Sequence, residues 1–321
     1  MSSAPSVRDD RRFVLTLGCP DRPGIIAGIT SFIAEFGGSI VEAGYHSAAG
    51  PSGLEAAARV TTEGPGAPPS NTATDTGWFF TRQAIKASTV PFELAELRDR
   101  FAGVAAEFGP ETEWQLHDSG ERRRAVLLVS KDGHCLHDLL GRAASGELPA
   151  TIEAVIGNHP DLAGMTEAHG VKFHYVPFPK DPAERGPAFE QVRELVDGHD
   201  PHAVVLARFM QVLPAELCAH WAGKAINIHH SFLPSFVGAR PYHQAFARGV
   251  KLIGATCHYV TAELDAGPII EQDVSRIDHA DDVHDMVRQG RDIERVVLAR
   301  GLRWHLEGRV LVHGRRTVVF S

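Results

Sequence analysis

The segment Ala225-Ile-Asn-Ile-His-His-Ser-Phe-Leu-Pro-Ser-Phe236 sets an amide and an imidazole two positions apart at the end of an apolar run. In an extended strand, alternate side chains share a face, so Asn227 and His229 point into one small volume. An amide donor beside an imidazole suits a carbonyl whose oxygen turns negative during acyl transfer. Further along, Thr261-Ala-Glu-Leu-Asp-Ala-Gly-Pro-Ile-Ile270 places Asp265 ahead of Gly267-Pro268 and a new apolar stretch. A carboxylate beside His229 would favour the imidazolium and help orient a water. Spacing alone leaves two readings open: the Asn-x-His pair is equally a plain strand end, and Asp265 equally a turn aspartate bonding its own backbone. His230 is expected to face away from His229 if the strand stays extended, which leaves it outside the pair.

Those residues need a sheet to position them. From Ala125 onward, the apolar runs Val126–Val129, Ile152–Ile156, Phe173–Val176, Ala203–Leu206 and Ala225–Ile228 alternate with helical segments. Near-continuous apolar strands alternating with helices predict an α/β fold, a Rossmann-like, mostly parallel sheet covered on both faces. Such sheets bind ligands at the carboxyl ends of their strands, where strand order reverses. Two further strands, His258–Val260 and Ile269–Gln272, precede a long amphipathic helix from about Asp281 to Leu306, which is expected to turn Val283, Met286, Val287, Ile293, Val296, Val297 and Leu302 toward a core.

Upstream, residues 12–118 read as strand, helix, strand, strand, helix, strand, a ferredoxin-like βαββαβ domain. The first helix, Ile25–Phe36, stacks Ile25, Ile29, Phe32, Ile33 and Phe36 on one stripe after Asp21-Arg-Pro-Gly24, and Gly37-Gly38 ends it. The second, Phe92–Phe108, repeats the pattern with Leu94, Leu97, Phe101, Val104 and Phe108. A Gly/Pro/Ser/Thr/Ala-rich stretch at about 48–76 reads as a long loop or a disordered insertion. The polar run Asp118-Ser-Gly-Glu-Arg-Arg-Arg124 marks a linker, so a second domain spans 124–321.

Composition narrows the function classes. With 321 residues, 43% of them hydrophobic, the chain can bury two cores. A net charge of -8 with no basic block argues against a nucleic-acid partner and toward small molecules. Cys19, Cys135, Cys218 and Cys257 form no C-x-x-C pair, which predicts free thiols in a reducing compartment. No leader-like apolar segment and no run of about 18 apolar residues is present, so the expectation is a cytoplasmic protein with no membrane partner. Despite 18 histidines there is no H-E-x-x-H, and His134 and His137 fall in a helix with no companion carboxylate in view; no metal is expected.

The motifs together carry a resemblance. Ile226-Asn-Ile-His-His-Ser-Phe-Leu-Pro234, His258-Tyr-Val-Thr261 and Leu264-Asp-Ala-Gly-Pro-Ile-Ile-Glu-Gln272 resemble the formyltetrahydrofolate deformylases, of the folate-dependent formyltransferase superfamily. Ser130-Lys with His134-Cys-Leu136, Asn158-His-Pro160, Leu206-Ala-Arg-Phe-Met-Gln211, Gly238-Ala-Arg-Pro-Tyr-His243 and Arg303-Trp-His305 extend it over residues 12–320, including an N-terminal domain similar to ACT domains. The resemblance implies hydrolysis of 10-formyltetrahydrofolate by water, with formate supplied to purine synthesis, and no prosthetic group. It assigns Asn227 and His229 to the oxyanion, and Asp265 to tuning His229 and assisting proton transfer. It assigns folate binding to Arg208, Phe209, Met210 and Leu213, to Val260, Thr261 and Leu264, and to Gly238. Lys131, His134, His243 and His258 are expected on the acceptor side of the pocket.

Ser130-Lys-Asp-Gly-His-Cys135 stands where the related transferases hold an acceptor phosphate with small residues, and its composition favours water as acceptor. Transfer of the formyl group to an amine is the second reading, and a catalytically silent folate or amino-acid sensor the third. ACT resemblance implies a homo-oligomer and an amino-acid effector, methionine or glycine, at Asp21, Arg22, Pro23 and Gly24. The same turn is equally an ordinary helix start, and the inserted stretch departs from the ACT pattern.

Overall fold

The computed structural model describes residues 11–48, 77–234 and 241–321; the expected insertion, from residue 49 on, and Gly238 lie outside the described residues. The chain divides into two compact units, Met1–Glu121 with Phe320, and Arg122–Val319 with Ser321.

The first unit runs β1 (Arg12–Pro20), α1 (Ile25–Glu35), β2 (Ile40–Ala48), β3 (Trp78–Lys86), α2 (Leu94–Glu107) and β4 (Glu113–Asp118). Its sheet has the order β2-β3-β1-β4, antiparallel throughout, which is the ferredoxin-like arrangement. The helical stripes form the core as periodicity requires. Ile29, Ile33, Leu97 and Phe101 are each no more than 1% exposed, and burying a side chain of this kind contributes about 1.5–3 kcal/mol. Phe36, Leu94 and Val104 are partly buried at its rim.

The second unit continues with β5 (Arg123–Val129), α3 (His134–Ser145), β6 (Ala150–Gly157), α4 (Ala163–Ala168), β7 (Lys172–Tyr175), α5 (Gly186–Asp197), β8 (Ala203–Leu206), α6 (Ala215–His220), β9 (Ala225–His229), α7 (Pro241–Arg248), β10 (Leu252–Tyr259), β11 (Ile269–Arg276) and α8 (Val283–Leu306). A terminal hairpin, β12 (Val310–His313) and β13 (Arg316–Val319), follows. Seven strands make one sheet in the order β11-β10-β9-β8-β5-β6-β7. Strands β5 to β9 pair in parallel, and β10 and β11 are antiparallel. Strand β10 begins six residues before the expected His258.

The unbroken apolar character of β5 and β8 follows from burial on both faces. Leu127, Val129 and Val205 enter one core, while Val126, Leu128 and Val204 enter the other. After β5 the chain builds outward through β6 and β7, then returns to β8 on the other side of β5. Strand order thus reverses between β5 and β8, and the crevice this opens lies at their carboxyl ends. Helix α8 starts on an Asp282–Asp285 capping box and packs Met286, Val297 and Leu302 inward. Val296, expected in that core, is 40% exposed, whereas Glu294 is 1% exposed. The helix's inward stripe runs Met286, Gly290, Glu294, Val297 and Gly301, so the carboxylate faces where Val296 does not.

Candidate active site

The ends of β5, β8, β9 and β10 open into a cavity of about 620 Å³. Asn227 and His229 line it from β9, which lies between β8 and antiparallel β10, with Asn227 opposite His258 and His229 opposite Thr256. Thr256 fixes the chain beyond β9: its hydroxyl donates to the Ser231 carbonyl at 2.9 Å and accepts from the Leu233 N–H at 3.0 Å. Asp265 enters from the turn before β11 with φ +54°, a left-handed backbone that aspartate tolerates better than most residues. Gly267 lets that turn fold back, because a Cβ there would sit 1.8 Å from the Tyr259 carbonyl oxygen.

The expected trio therefore converges. His229 Nδ1 lies 3.2 Å from Asp265 Oδ2, with both side chains largely buried. A nitrogen that donates to a carboxylate leaves the opposite nitrogen for other use, and His229 Nε2 has no hydrogen-bond partner among the described residues. His258 completes the set. Its Nδ1 donates to its neighbour's carbonyl, Tyr259 O, at 2.9 Å, so Nε2 is the bare nitrogen and accepts from Asn227 Nδ2 at 3.2 Å. One amide hydrogen of Asn227 is thereby fixed, which orients the other. Burial lowers the His258 pKa and keeps the ring neutral, as an acceptor must be. Burial pushes the Asp265 carboxyl up, but the hydrogen bond and charge of His229, with His258 and His230 behind it, hold it below the usual carboxylate range.

Arg208, Phe209, Met210 and Leu213, with Val260, Thr261 and Leu264, line the same cavity, as does His243. The connector after β8 is pinned where the Met210 N–H donates to Ser130 Oγ at 2.9 Å. Met210 and Leu264 are 59% and 60% exposed, apolar surface that no core holds. Lys131 departs from expectation: it is exposed and does not line the cavity, because the chain after β5 turns Asp132 inward instead.

Asp132, Tyr242, Arg291 and Glu294, which sequence reasoning left out, join Arg208 and His134 in a charged net along the cavity. Arg208, at φ +66°, reaches Asp132 at 3.1 Å and lies 3.5 Å from Glu294. Arg291 also pairs with Asp132 at 3.1 Å. Glu294 accepts from the Tyr242 hydroxyl at 2.7 Å and meets His134 Nε2 at 2.7 Å. His134 thus has a companion carboxylate after all, brought from 160 residues away, and stands behind Glu294 without lining the cavity. Gly290 admits the tyrosine, since a Cβ there would lie 2.0 Å from Tyr242 Oη. Burial raises the Glu294 carboxyl, yet the His134 hydrogen bond and the Arg208 charge outweigh it and hold the group ionised. His230 is the other correction. Strand β9 ends at His229, and beyond it His230 turns into the cavity, its ring 5.0 Å from that of His229 and 6.3 Å from that of Tyr242.

His134, Cys135 and Glu294 present ligand-type atoms within 4.8 Å of one another. The donor set suits a dication poorly: burial holds the Cys135 thiol well above its usual pKa, and the Arg208 cation already neutralises Glu294. In the first unit, Asp21–Gly24 is a turn with Gly24 at φ +97°, leading into α1, and Arg22, Pro23 and Gly24 are exposed. Among the described residues no helix is long and apolar enough to cross a membrane.

A family profile described as formyl transferase matches residues 123–302. A formyltetrahydrofolate deformylase of Corynebacterium sp. strain P-1 is 42% identical over 96% of this chain and 98% of its own length. The crystal structure of a formyltetrahydrofolate deformylase from Pseudomonas syringae pv. tomato superposes with a TM-score of 0.87 at 50% identity, covering 98% of this chain and 96% of that one. A glycinamide ribonucleotide transformylase from Symbiobacterium toebii reaches a TM-score of 0.59 at 28% identity, covering 64% of this chain and 98% of its own.

Proposed function

The chain belongs to the formyl transferase family and, within it, to the formyltetrahydrofolate deformylases; it hydrolyses 10-formyltetrahydrofolate to tetrahydrofolate and formate, and we propose that Asn227, His229 and Asp265 carry that reaction. The observation that carries this reading is the convergence of two directed donors, the free amide hydrogen of Asn227 and the unpartnered His229 Nε2, in one cavity with Asp265 behind His229. A formyl oxygen placed between those donors gains negative charge as water adds to the formyl carbon. Preorganised donors aimed at such an oxyanion are worth roughly 10²–10³ in rate each. Asp265, 3.2 Å from Nδ1, holds the His229 ring so that Nε2 faces that oxygen. Collapse of the adduct breaks the bond to N10, which leaves protonated.

Folate would lie along residues 208–213 and 260–264, with main-chain groups reading the pterin edge and Phe209, Met210 and Leu264 covering its apolar faces. The proposed steps use only these side chains and water, so the reading includes no prosthetic group. For the first unit it includes a methionine or glycine effector at Asp21–Gly24 and self-association through the ferredoxin-like sheet, in a cytoplasmic homo-oligomer. The deciding assay is formate release from 10-formyltetrahydrofolate with no amine present. Turnover is expected; its absence, with formyl transfer on adding an amine, would replace water with that amine as acceptor.

A further inference from the structure

The scheme above uses His229 Nε2 and leaves a second buried nitrogen idle. His230 Nδ1 has no hydrogen-bond partner among the described residues, although its ring lines the cavity beside His229. An unpaired buried polar atom costs about 1–3 kcal/mol and asks for a ligand. Among the described residues the side chains around it offer none. The Tyr242 hydroxyl is committed to Glu294, and the Arg208 guanidinium to Asp132 and Glu294. Arg208 and His229 also oppose any positive charge on His230. Burial, with Arg208 and His229 behind it, outweighs Glu294 and a hydrogen bond to its own backbone and lowers the His230 pKa to about 4, so the ring is neutral in neutral solution.

A neutral imidazole next to an oxyanion donor can accept from a nucleophile that must lose a proton. We propose that His230 is the residue that binds and deprotonates the attacking water, an inference that rests on the roles given above to Asn227 and His229. The water oxygen bonds to the formyl carbon while the carbonyl π pair moves onto the oxygen held by Asn227 and His229. The proton leaving the water passes to the bare nitrogen of His230. The imidazolium so formed sits among like charges and is a strong acid. It hands the proton to N10 as the C–N10 bond breaks, giving tetrahydrofolate and formic acid, which ionises to formate in solvent. The net of Arg208, Asp132, Glu294 and Tyr242 has a definite part here: its groups are already paired with one another and do not compete for the His230 nitrogen.

The test compares His230→Ala and His230→Asn with wild type in formate release without an amine. Removing a general base costs ~10²–10⁴-fold in turnover, so His230→Ala is expected to lose at least ~10²-fold in kcat with KM held within about threefold. Added imidazole is expected to restore turnover to His230→Ala in a saturable way, following its neutral form, and to leave wild type unchanged. His230→Asn keeps a polar group but cannot carry the proton, and is expected to stay low. Turnover of His230→Ala within about threefold of wild type, or a loss that imidazole does not relieve, would overturn the proposal. Wild-type protein that releases no formate would instead overturn the hydrolase reading on which it stands.

Discussion

Two sets of residues share the cavity and are built on opposite terms. The connectors 209–213 and 260–264 offer main-chain groups and two loosely held apolar side chains, Met210 and Leu264, each more than half exposed, while Phe209 and Leu213 anchor the first of them in the core. The net of Asp132, Arg208, Tyr242 and Glu294 offers side chains whose charges are already spent on one another, with Glu294 1% exposed. The Met210 and Leu264 side chains can adapt to a large planar ligand because little packing fixes them. The second set is rigid, because moving any member strands a buried charge. Between them stand Asn227, His229, His230 and Asp265, with a compliant surface on one side and a fixed one on the other.

Substitutions break this contrast in order of size. Asp265→Asn removes the charge behind His229 while leaving both compliant connectors in place. Formate release should fall ~10²–10³-fold, whereas folate affinity, read by fluorescence titration, should stay within about threefold. Unchanged turnover would take Asp265 out of the chemistry. Glu294→Ala leaves Arg208 buried beside an empty place, and breaking such a pair costs roughly 3–5 kcal/mol. A large drop in the urea midpoint is expected, with a smaller one for Glu294→Gln.

Acid should find the same net. The folded Asp132, Asp265 and Glu294 carboxyls lie below their ordinary values despite burial, because cations and hydrogen bonds face them. An unfolded chain then binds more protons than the folded one between the ordinary pKa, ~4, and the lower folded values. Their stabilisation is therefore complete at neutral pH and is lost as pH falls below ~4, and Glu294→Gln should flatten that decline in acid titrations followed by circular dichroism.

On the compliant side, Met210→Ala removes apolar surface that only a ligand covers. It should raise KM several-fold, at about 0.8 kcal/mol per lost methylene contact, with little change in kcat or midpoint. Lys131→Ala, on an exposed residue outside the cavity, should move activity and stability by no more than ~2-fold and ~0.5 kcal/mol. A large effect there would mean that the cavity extends further than its lining residues indicate.

The two sets also differ in how far they can be read before folding. Asn227 and His229 were legible because a period of two is a local rule, and the helices of the first unit because their stripes repeat locally. The connectors were assigned through likeness to a family, since main-chain recognition leaves little mark on side-chain identity. Glu294 and Tyr242 escaped because their partners lie far along the chain and a carboxylate in a charged helix reads as a solvated face. A signal was present nonetheless: Glu294 follows Met286 and Gly290 at intervals of four and precedes Val297 by three, so it falls on the apolar stripe. A charge inside that stripe asks for a buried partner. His230 was misplaced for another reason, because the strand that would have turned it away ends one residue before it.

Arg208 holds a left-handed backbone that glycine adopts freely, at a cost of roughly 1–2 kcal/mol for a residue with a side chain. Replacing it with glycine would relieve the backbone but take a cation from Asp132, which keeps Arg291, and from Glu294, which keeps His134 and Tyr242; replacing Glu294 would leave Arg208 to Asp132 alone. The two positions are therefore coupled: the effect of changing one depends on the residue that stands at the other.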